Sequence, residues 1–320
     1  MRAIVITENG GPEVLTVTER SVPEAGPGEV VIDVAAAGVN FIDVYFRTGA
    51  YPHELPFTPG IEAAGTVAAV GDGVRDLSVG DRVASTDVEG AYAERALVRA
   101  DRVVPVPDEV SLEDAAAALL QGMTAHYLTR STYPIQEGDS VLVHAGAGGM
   151  GLLLTQTAKA LGARVFATAS TPEKEKLARD AGADVTMGYD GFADRVRELT
   201  DGEGVAAVYD GVGAPTFEGS LASLRRRGVL ALYGAAGGKV PPFDPQRLNP
   251  AGSLFLTRPT LAHYVATREE LLERAADVYG WVASGDLEIR VGHRHDLADA
   301  GTAHADLQAR RTTGKLLLIP

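Results

Sequence analysis

The sequence predicts an α/β protein in which a doubly wound parallel sheet follows a β-rich domain. Short β-branched runs separated by glycine and proline turns fill about the first 120 residues, as in a small antiparallel barrel or sandwich. Near Ser111 the pattern changes, and strand-like and helix-like segments alternate along the chain. Such alternation is typical of a parallel sheet with helices on both faces. Both observations place the change of architecture in the first half of the 320 residues.

The strand-like runs of the first part are easy to delimit, because turn signals such as NGGP, PGP, GDGV and SVGD lie between them. They read RAIVIT, EVVIDVAAAGVN, AAGTVAAVG, DRVAS and AYAERALVRADRVVPVP. A helix with Ser111 and Asp114 as a capping pair opens the second part. The strands that follow read SVLVHA, ARVFATA, DVTMGY, VAAVYDGV and VLALYGA, and the helices between them include TPEKEKLARDAG, FADRVRELTDG and TFEGSLASLRRRG.

The C-terminal segment fits no further strand–helix–strand unit. It contains two amphipathic stretches, TREELLERAADVYGWVASGDL and DLADAGTAHADLQARR, and a final strand, GKLLLIP. We expect this tail to return to the first domain. The predicted domains are therefore residues 1–122 with 261–320, and residues 123–260.

Composition excludes several classes of function. The chain has no cysteine, so disulfides, thiolate zinc sites and a cysteine nucleophile are excluded. The net charge of −14 disfavours binding to nucleic acid, and the one dense basic run, Arg225–Arg227, is interpreted as a solvated helix end. Neither a signal peptide nor a membrane-spanning stretch is predicted, and we expect a cytoplasmic protein.

A glycine-rich loop is the strongest functional signal. Gly146, Gly148 and Gly151 form the pattern G-x-G-x-x-G after a predicted strand and at the start of a predicted helix, with Gly149 as an additional glycine. In this context the glycines allow a tight turn, close approach of a diphosphate and close packing of helix on strand. Unpaired N–H groups at the helix start hold the anion. The loop, with Ala147 and Met150, therefore predicts a dinucleotide site.

The end of the second predicted strand favours NADPH over NADH. An NAD site places an acidic residue there to bind the ribose hydroxyls, whereas this strand ends in Ala169, Ser170 and Thr171. Lys174 follows and is suited to a 2′-phosphate. The alternative is a solvated helix face on which Lys174 pairs with neighbouring glutamates.

Beyond these local patterns, the whole chain resembles the zinc-independent quinone oxidoreductases of the medium-chain dehydrogenase/reductase superfamily, the group related to zeta-crystallin. The stretches that carry the resemblance are AGVNFIDVYFRTGAY, PGIEAAGTVAAVG, GDRVA, AYAE, GMTAHYL, VLVHAGAGGMG, YDGVG, GSLFLTRP and TTGKLLLIP. It implies a GroES-like catalytic domain and a Rossmann domain. Zinc-dependent relatives have a cysteine near position 38 and Gly-His-Glu where this chain has Gly60, Ile61 and Glu62. No metal is therefore expected, and Glu62 is expected to be structural.

The resemblance also implies site residues. Lys174, Tyr189 and Arg310 match contacts to the 2′-phosphate and adenosine, although Arg310 could instead be an exposed helix end next to Arg311. Asn40, Tyr45 and Thr124 match positions near the nicotinamide, although Asn40 could be an ordinary turn residue. Ser170 stands where close relatives often have glycine. The remaining implied cofactor contacts are Gly211, Tyr233, Gly234, Ala235, Ala236, Leu256 and Arg258, of which Gly211 and residues 233–236 could also be ordinary strand-to-loop turns.

The expected reaction is transfer of a hydride, or of single electrons, from NADPH to a quinone or another electron-poor carbonyl. Asn40, Tyr45 and Tyr51 are the candidate catalytic residues, and the tyrosines could act as proton donors or as an aromatic wall. The alternatives are a 2-enone or alkenal reductase and a non-enzymatic nucleotide- or RNA-binding protein. A homodimer is expected through the edge strand in SLFLTRP.

Overall fold

The computed structural model describes all 320 residues, which divide into two compact units. Unit 1 comprises Met1–Met123 and Val265–Pro320, and unit 2 comprises Thr124–Tyr264. The sequence-derived boundaries lie one residue and four residues earlier, and that domain assignment stays a prediction.

The chain forms fifteen strands and eight α-helices, with six short 3₁₀ or π-helical turns between them. The strands are β1 (Arg2–Val5), β2 (Thr16–Glu19), β3 (Glu29–Val39), β4 (Ala63–Val70), β5 (Arg82–Ser85), β6 (Arg95–Arg99), β7 (Val104–Pro105), β8 (Ser140–Val143), β9 (Arg164–Thr168), β10 (Val185–Met187), β11 (Val205–Asp210), β12 (Leu224–Leu232), β13 (Phe255–Thr257), β14 (Val291–Asp296) and β15 (Lys315–Ile319). The helices are α1 (Phe41–Arg47), α2 (Leu112–Tyr127), α3 (Gly149–Ala160), α4 (Pro172–Asp180), α5 (Phe192–Leu199), α6 (Phe217–Ser223), α7 (Arg268–Ser284) and α8 (Ala300–Gln308).

Unit 2 contains a six-stranded sheet in the order β10-β9-β8-β11-β12-β13, and every pair in it is parallel. Numbered within the unit, this order is 3-2-1-4-5-6, the doubly wound arrangement of dinucleotide-binding domains. Its central strands are buried on both faces, which explains why β8 and β11 read as continuous apolar runs. The α/β class predicted from the alternating pattern is confirmed.

One detail of the sequence interpretation is wrong. Arg225–Arg227 do not end a helix, because α6 stops at Ser223 and the arginines belong to β12. Val205 pairs with Leu224 but Ala207 pairs with Val229, so the residues between Leu224 and Val229 bulge from the sheet. Arg225 reaches Asp139 at 3.0 Å, and this ion pair stabilises the bulge. Local helix propensity could not reveal a strand that is formed by pairing with distant residues.

Unit 1 contains a seven-stranded sheet whose path is β14-β15-β3-β4-β5-β7, with β6 paired to β3. All of these pairs are antiparallel except β14–β15. The C-terminal β15 pairs with β3, so the tail completes the sheet of the N-terminal segment, as the sequence analysis expected. This pairing places the last residues of the chain beside residues 37–39, which lead directly into α1.

Candidate cofactor site and active site

The predicted cofactor residues of unit 2 lie at one edge of its parallel sheet. Gly146–Gly151 follow β8, Ser170 and Lys174 follow β9, and Tyr189 follows β10. The remaining ones are Gly211 after β11, Tyr233–Ala236 after β12, and Leu256 and Arg258 within and after β13. The carboxyl ends of parallel strands share an edge, and ligands bind where the strand order reverses, here between β8 and β11.

The glycine loop is shaped by close packing. A Cβ atom on Gly151 would lie 2.2 Å from the carbonyl oxygen of Ala145, and one on Gly146 would lie 2.9 Å from the Cβ of Ala167. These two glycines therefore allow the chain to turn from β8 into α3 and allow the helix to pack on the sheet. Ala145 itself has a φ of 54°, the left-handed region that non-glycine residues rarely adopt.

Gly148 differs from the other two glycines. A Cβ there would meet a single atom within 4 Å, the Ala145 carbonyl oxygen at 3.3 Å. Gly148 is thus the least crowded of the three glycines, and a side chain there would occupy the space beside the start of α3. The amides of Gly149, Met150 and Gly151 form the first turn of α3 and have no acceptor within the helix. Three such N–H groups next to a residue without a side chain fit a diphosphate.

The segment after β9 presents polar groups without a carboxylate at the strand end. The Thr171 hydroxyl caps α4 by accepting a hydrogen bond from the backbone N–H of Lys174 at 3.3 Å. This cap places Lys174 in the first turn of the helix, one turn from Ser170. Tyr189 is half-buried after β10, and its ring lies 6.2 Å from that of His144, nearly parallel to it. The roles of Lys174 and Tyr189 at a 2′-phosphate stay predictions.

The turns after β11 and β12 are hydrogen-bonded to each other. The Tyr233 amide donates to the Asp210 carbonyl at 2.9 Å, and the Ala236 amide donates to the Gly211 carbonyl at 3.0 Å. A Cβ on Gly211 would lie 2.8 Å from the ring of Tyr233, so a side chain at this position would displace that ring. Packing alone explains Gly211, and its role as a cofactor contact stays a prediction.

In unit 1, the predicted catalytic residues gather around α1. Asn40 immediately precedes the helix, Tyr45 lies within it, and the Tyr51 amide donates to the Tyr45 carbonyl at 3.0 Å. The rings of Tyr45 and Tyr51 are 5.1 Å apart, and Phe41 and Phe46 extend this aromatic cluster. Such a cluster suits stacking against a flat ring.

The Asn40 side chain is buried, and its polar atoms are already used within unit 1. Its Nδ2 donates to Glu62 Oε2 at 2.8 Å and to the Gly38 carbonyl at 3.3 Å. Its Oδ1 accepts from Lys315 Nζ at 2.7 Å and from Gln121 at 3.5 Å. A hydrogen bond from Asn40 to a ribose would therefore have to replace or share one of these contacts. The predicted role of Asn40 at the nicotinamide stays a prediction.

Glu62 and Lys315 form a buried ion pair that the sequence analysis did not predict. Their side chains are 0% and 2% exposed, and Lys315 Nζ lies 2.6 Å from Glu62 Oε2. The other carboxylate oxygen accepts the Leu120 amide at 2.7 Å. Gly38 makes room, because a Cβ there would lie 2.2 Å from Glu62 Oε2. Glu62 is thus structural, as expected, and its partner comes from the C-terminal strand.

A second buried network holds the other side of α1. Asp43 Oδ2 accepts the Asn40 amide at 2.8 Å and the Tyr92 hydroxyl at 3.0 Å, while Oδ1 has no partner. Burial raises the pKa of Asp43 to about 7. Tyr92 also contacts His304, whose pKa burial lowers to about 3, and Arg47 contacts the other ring nitrogen at 3.2 Å. These contacts fix a helix of seven residues that would be marginal alone.

The last two predicted residues lie elsewhere. Thr124 is buried in α2. Arg310 is exposed in unit 1 just after α8, with a φ of 56°, and Arg311 pairs with Asp306 at 2.9 Å. No three His, Cys, Asp or Glu side chains lie close enough together to hold a metal ion. None of the helices combines the length and apolar character that a membrane span requires.

Comparisons with known proteins agree with this geometry. The family model "Alcohol dehydrogenase GroES-like domain" matches residues 26–108, and the model "Zinc-binding dehydrogenase" matches residues 149–278. The quinone oxidoreductase of Pseudomonas aeruginosa is 45% identical over 97% of both chains. The chain belongs to the quinone oxidoreductase family of the medium-chain dehydrogenase/reductase superfamily.

Two further similar proteins bear on the site. A mycobacterial protein whose structure was solved in complex with NADPH is 57% identical, with a TM-score of 0.98 and complete coverage of both chains. The 2-haloacrylate reductase of a Burkholderia species is 41% identical over 99% of this chain and 98% of its own. The predicted GroES-like and Rossmann architecture is confirmed by the family models and by this structural agreement.

The buried ion pair generates a first prediction. The variant Lys315→Met leaves the Glu62 carboxylate buried without a counter-charge, so the free energy of unfolding should fall by about 3–5 kcal/mol. The double variant Glu62→Gln/Lys315→Met removes both charges and should recover most of that loss, as measured by urea unfolding.

The control is Lys176→Met, which breaks an exposed ion pair with Asp180 and should cost less than about 1 kcal/mol. Equal losses in Lys315→Met and in the double variant would show that the ion pair does not account for the stability.

Proposed function

We propose that this protein is an NADPH-dependent reductase of quinones. The observation that carries the proposal is the glycine loop, which opens α3 at the point where the order of the parallel sheet reverses. The absence of a carboxylate at the end of β9 and the position of Lys174 support NADPH over NADH. The NADPH complex of the 57%-identical mycobacterial protein supports the same cofactor.

In this proposal, the chain holds the cofactor through groups already described. The amides of Gly149, Met150 and Gly151 would hold the diphosphate, and Lys174 and Tyr189 would bind the adenosine 2′-phosphate end. The role of Arg310 at this phosphate is the one that the sequence resemblance implies. When bound, NADPH supplies the hydride, which is chemistry that no side chain can provide. The aromatic cluster with Tyr45 and Tyr51 stacks on the acceptor ring and excludes water. A tyrosine hydroxyl or a water molecule supplies the proton that the reduced oxygen requires.

A second candidate function is reduction of an activated carbon–carbon double bond, as in a 2-enone or alkenal. The observation in its favour is the 2-haloacrylate reductase, which is 41% identical over nearly the whole chain. Both reactions use the same hydride donor and differ in the acceptor that fits beside the aromatic cluster.

Steady-state assays with purified protein separate these candidates. We expect NADPH oxidation with 9,10-phenanthrenequinone to have a much higher kcat/KM than oxidation with a short enone or with 2-chloroacrylate. The opposite order would establish the second candidate. NADPH binding without turnover of any acceptor would point to a non-enzymatic role.

Cofactor selectivity tests the 2′-phosphate residues. Each charged contact to phosphate is worth about 1.5–3 kcal/mol, so Lys174→Ala and Arg310→Ala should each raise the Kd of NADPH about tenfold or more. The Kd of NADH should not change, because NADH lacks the 2′-phosphate. Titration of nucleotide fluorescence measures both.

Lys176 and Arg311 are the matched controls for Lys174 and Arg310. Lys176 pairs with Asp180 and Arg311 pairs with Asp306, so alanine at either position should leave both dissociation constants unchanged. Equal affinity of the unaltered protein for NADH and NADPH would refute the roles of Lys174 and Arg310.

The exposed edge of the parallel sheet in unit 2 bears on the oligomeric state of the protein. We propose a homodimer through β13, which pairs only with β12 and exposes 59% of Phe255. Light scattering should give a mass near twice 33.4 kDa. Phe255→Lys should give monomers, whereas Val79→Lys, at an exposed apolar residue of unit 1, should not. A monomeric unaltered protein would contradict the proposal.

A cytoplasmic location and the lack of nucleic-acid binding stay predictions from the sequence.

A further inference from the structure

His144 occupies a position that the proposed mechanism does not use. It lies between the last residue of β8 and the glycine loop, and its side chain is fully buried. Its Nδ1 is 2.9 Å from the Thr168 hydroxyl at the end of β9, and its Nε2 is 2.9 Å from the Ser220 hydroxyl in α6. The imidazole therefore connects three elements at the carboxyl edge of the sheet.

The hydrogen bonds around His144 determine its protonation. The Asp210 carboxylate accepts the amides of Val212 and Gly213 on Oδ1, and the hydroxyls of Thr216 and Ser220 on Oδ2. Because the single hydroxyl hydrogen of Ser220 goes to Asp210 at 2.8 Å, its oxygen must accept from His144 Nε2. Burial lowers the pKa of His144 to about 4, so the ring is neutral and Nδ1 accepts from Thr168.

Thr168 connects His144 to the start of the glycine loop, because its hydroxyl group contacts both the imidazole and the Ala145 amide. Its carbonyl accepts the Gly146 amide at 2.8 Å, and its hydroxyl oxygen accepts the Ala145 amide at 3.4 Å. Since the hydroxyl hydrogen points at His144, its lone pairs are available to the Ala145 amide. That contact helps to hold Ala145 in its left-handed conformation, from which the chain turns into the loop.

We propose that His144, held with its proton on Nε2 by Ser220 and Asp210, is a positioning residue that sets the glycine loop for the NADPH diphosphate. It acts through Thr168 and does not touch the cofactor. Its ring also lies nearly parallel to that of Tyr189 and edge-on to Phe192 at 4.9 Å, so it packs beneath a second predicted cofactor residue. The inference rests on the proposed NADPH site and does not depend on which acceptor is reduced.

The Ser220–His144 contact resembles a nucleophile and its base, but a hydrolytic role is excluded by burial. Ser220, His144 and Asp210 are each 0% exposed, so no substrate carbonyl can reach the hydroxyl. The contacts instead satisfy buried polar groups, which must be hydrogen-bonded to be tolerated.

The test compares two buried threonines. Thr168→Val removes the hydroxyl between His144 and Ala145 and keeps the shape of the side chain and the backbone bond to Gly146. Thr155→Val is the matched control, because Thr155 is equally buried in α3 and its hydroxyl has no partner. Fluorescence titration of each variant with NADPH gives Kd, thermal melting checks the fold, and assays with phenanthrenequinone give kcat at saturating NADPH.

We expect Thr168→Val to raise the Kd of NADPH about tenfold, the effect of one hydrogen bond, with kcat at saturating NADPH changed less than about twofold. Thr155→Val should leave Kd unchanged. Ser220→Ala should weaken binding in the same direction, and the double variant Thr168→Val/Ser220→Ala should lose less than the sum, because both act through one imidazole. A Kd for Thr168→Val that matches the control would overturn the proposal.

Nitrogen NMR of the protein labelled at histidine gives a readout independent of binding. At neutral pH, His144 should show a protonated Nε2 and an unprotonated Nδ1, and Ser220→Ala should weaken this preference. A proton on Nδ1, or a doubly protonated ring, would refute the inference even if Thr168→Val binds NADPH weakly. Lack of quinone turnover with normal NADPH binding would refute the proposed acceptor and leave this inference intact.

Discussion

The first backbone N–H groups of a helix have no acceptor within that helix and need one from outside it. The organisation of unit 2 depends on where the first N–H groups of α3 lie. The turn from β8 into α3 brings three such amides to the carboxyl edge of a parallel sheet. Close packing requires glycine at positions 146 and 151, whereas a Cβ at Gly148 would meet only the Ala145 carbonyl oxygen, at 3.3 Å. In the proposed function, a diphosphate would satisfy these amides and would be attracted by the helix dipole. The same edge carries the polar residues that follow the neighbouring strands.

Buried polar groups impose a second constraint, and both units meet it with hydrogen-bonded networks, in which Asp43 Oδ1 is an exception. In unit 2, the Asp210 carboxylate organises two turns and, through Ser220 and His144, the entrance to the glycine loop. In unit 1, Glu62 and Lys315 enclose Asn40, and Asp43 with Tyr92 secures the opposite side of α1. Such networks are rigid, since breaking one contact leaves a charge or a donor unpaired away from water. Within each unit, rigid support of this kind suits residues that must hold a bound molecule in a fixed position.

Some parts of the candidate site could be predicted from the sequence, and other parts could not. The glycine loop was predictable because its spacing and its place between a strand and a helix reflect local geometry. The preference for NADPH was predicted from residues 169–174, which are consecutive in the sequence. By contrast, Lys315 stands in a short apolar strand near the end of the chain, and nothing near it indicates a buried ion pair. The prediction of a helix end at Arg225–Arg227 was also wrong because of distant contacts, since the pairing of β12 with β11 overrides local helix propensity.

The sequence by itself determined the class of each unit, the position of the glycine loop between a strand and a helix, and the lack of cysteine. These properties depend on periodicity, on glycine spacing and on composition, all of which are local or additive. Only the tertiary structure decided that β15 lies against β3, that Lys315 meets Glu62 and Asn40, and that His144 contacts Thr168 and Ser220. The side-chain hydrogen bonds among these contacts join residues separated by 24 to 275 positions. Such pairs are selected by burial and hydrogen-bond complementarity in the folded chain, which no local pattern encodes.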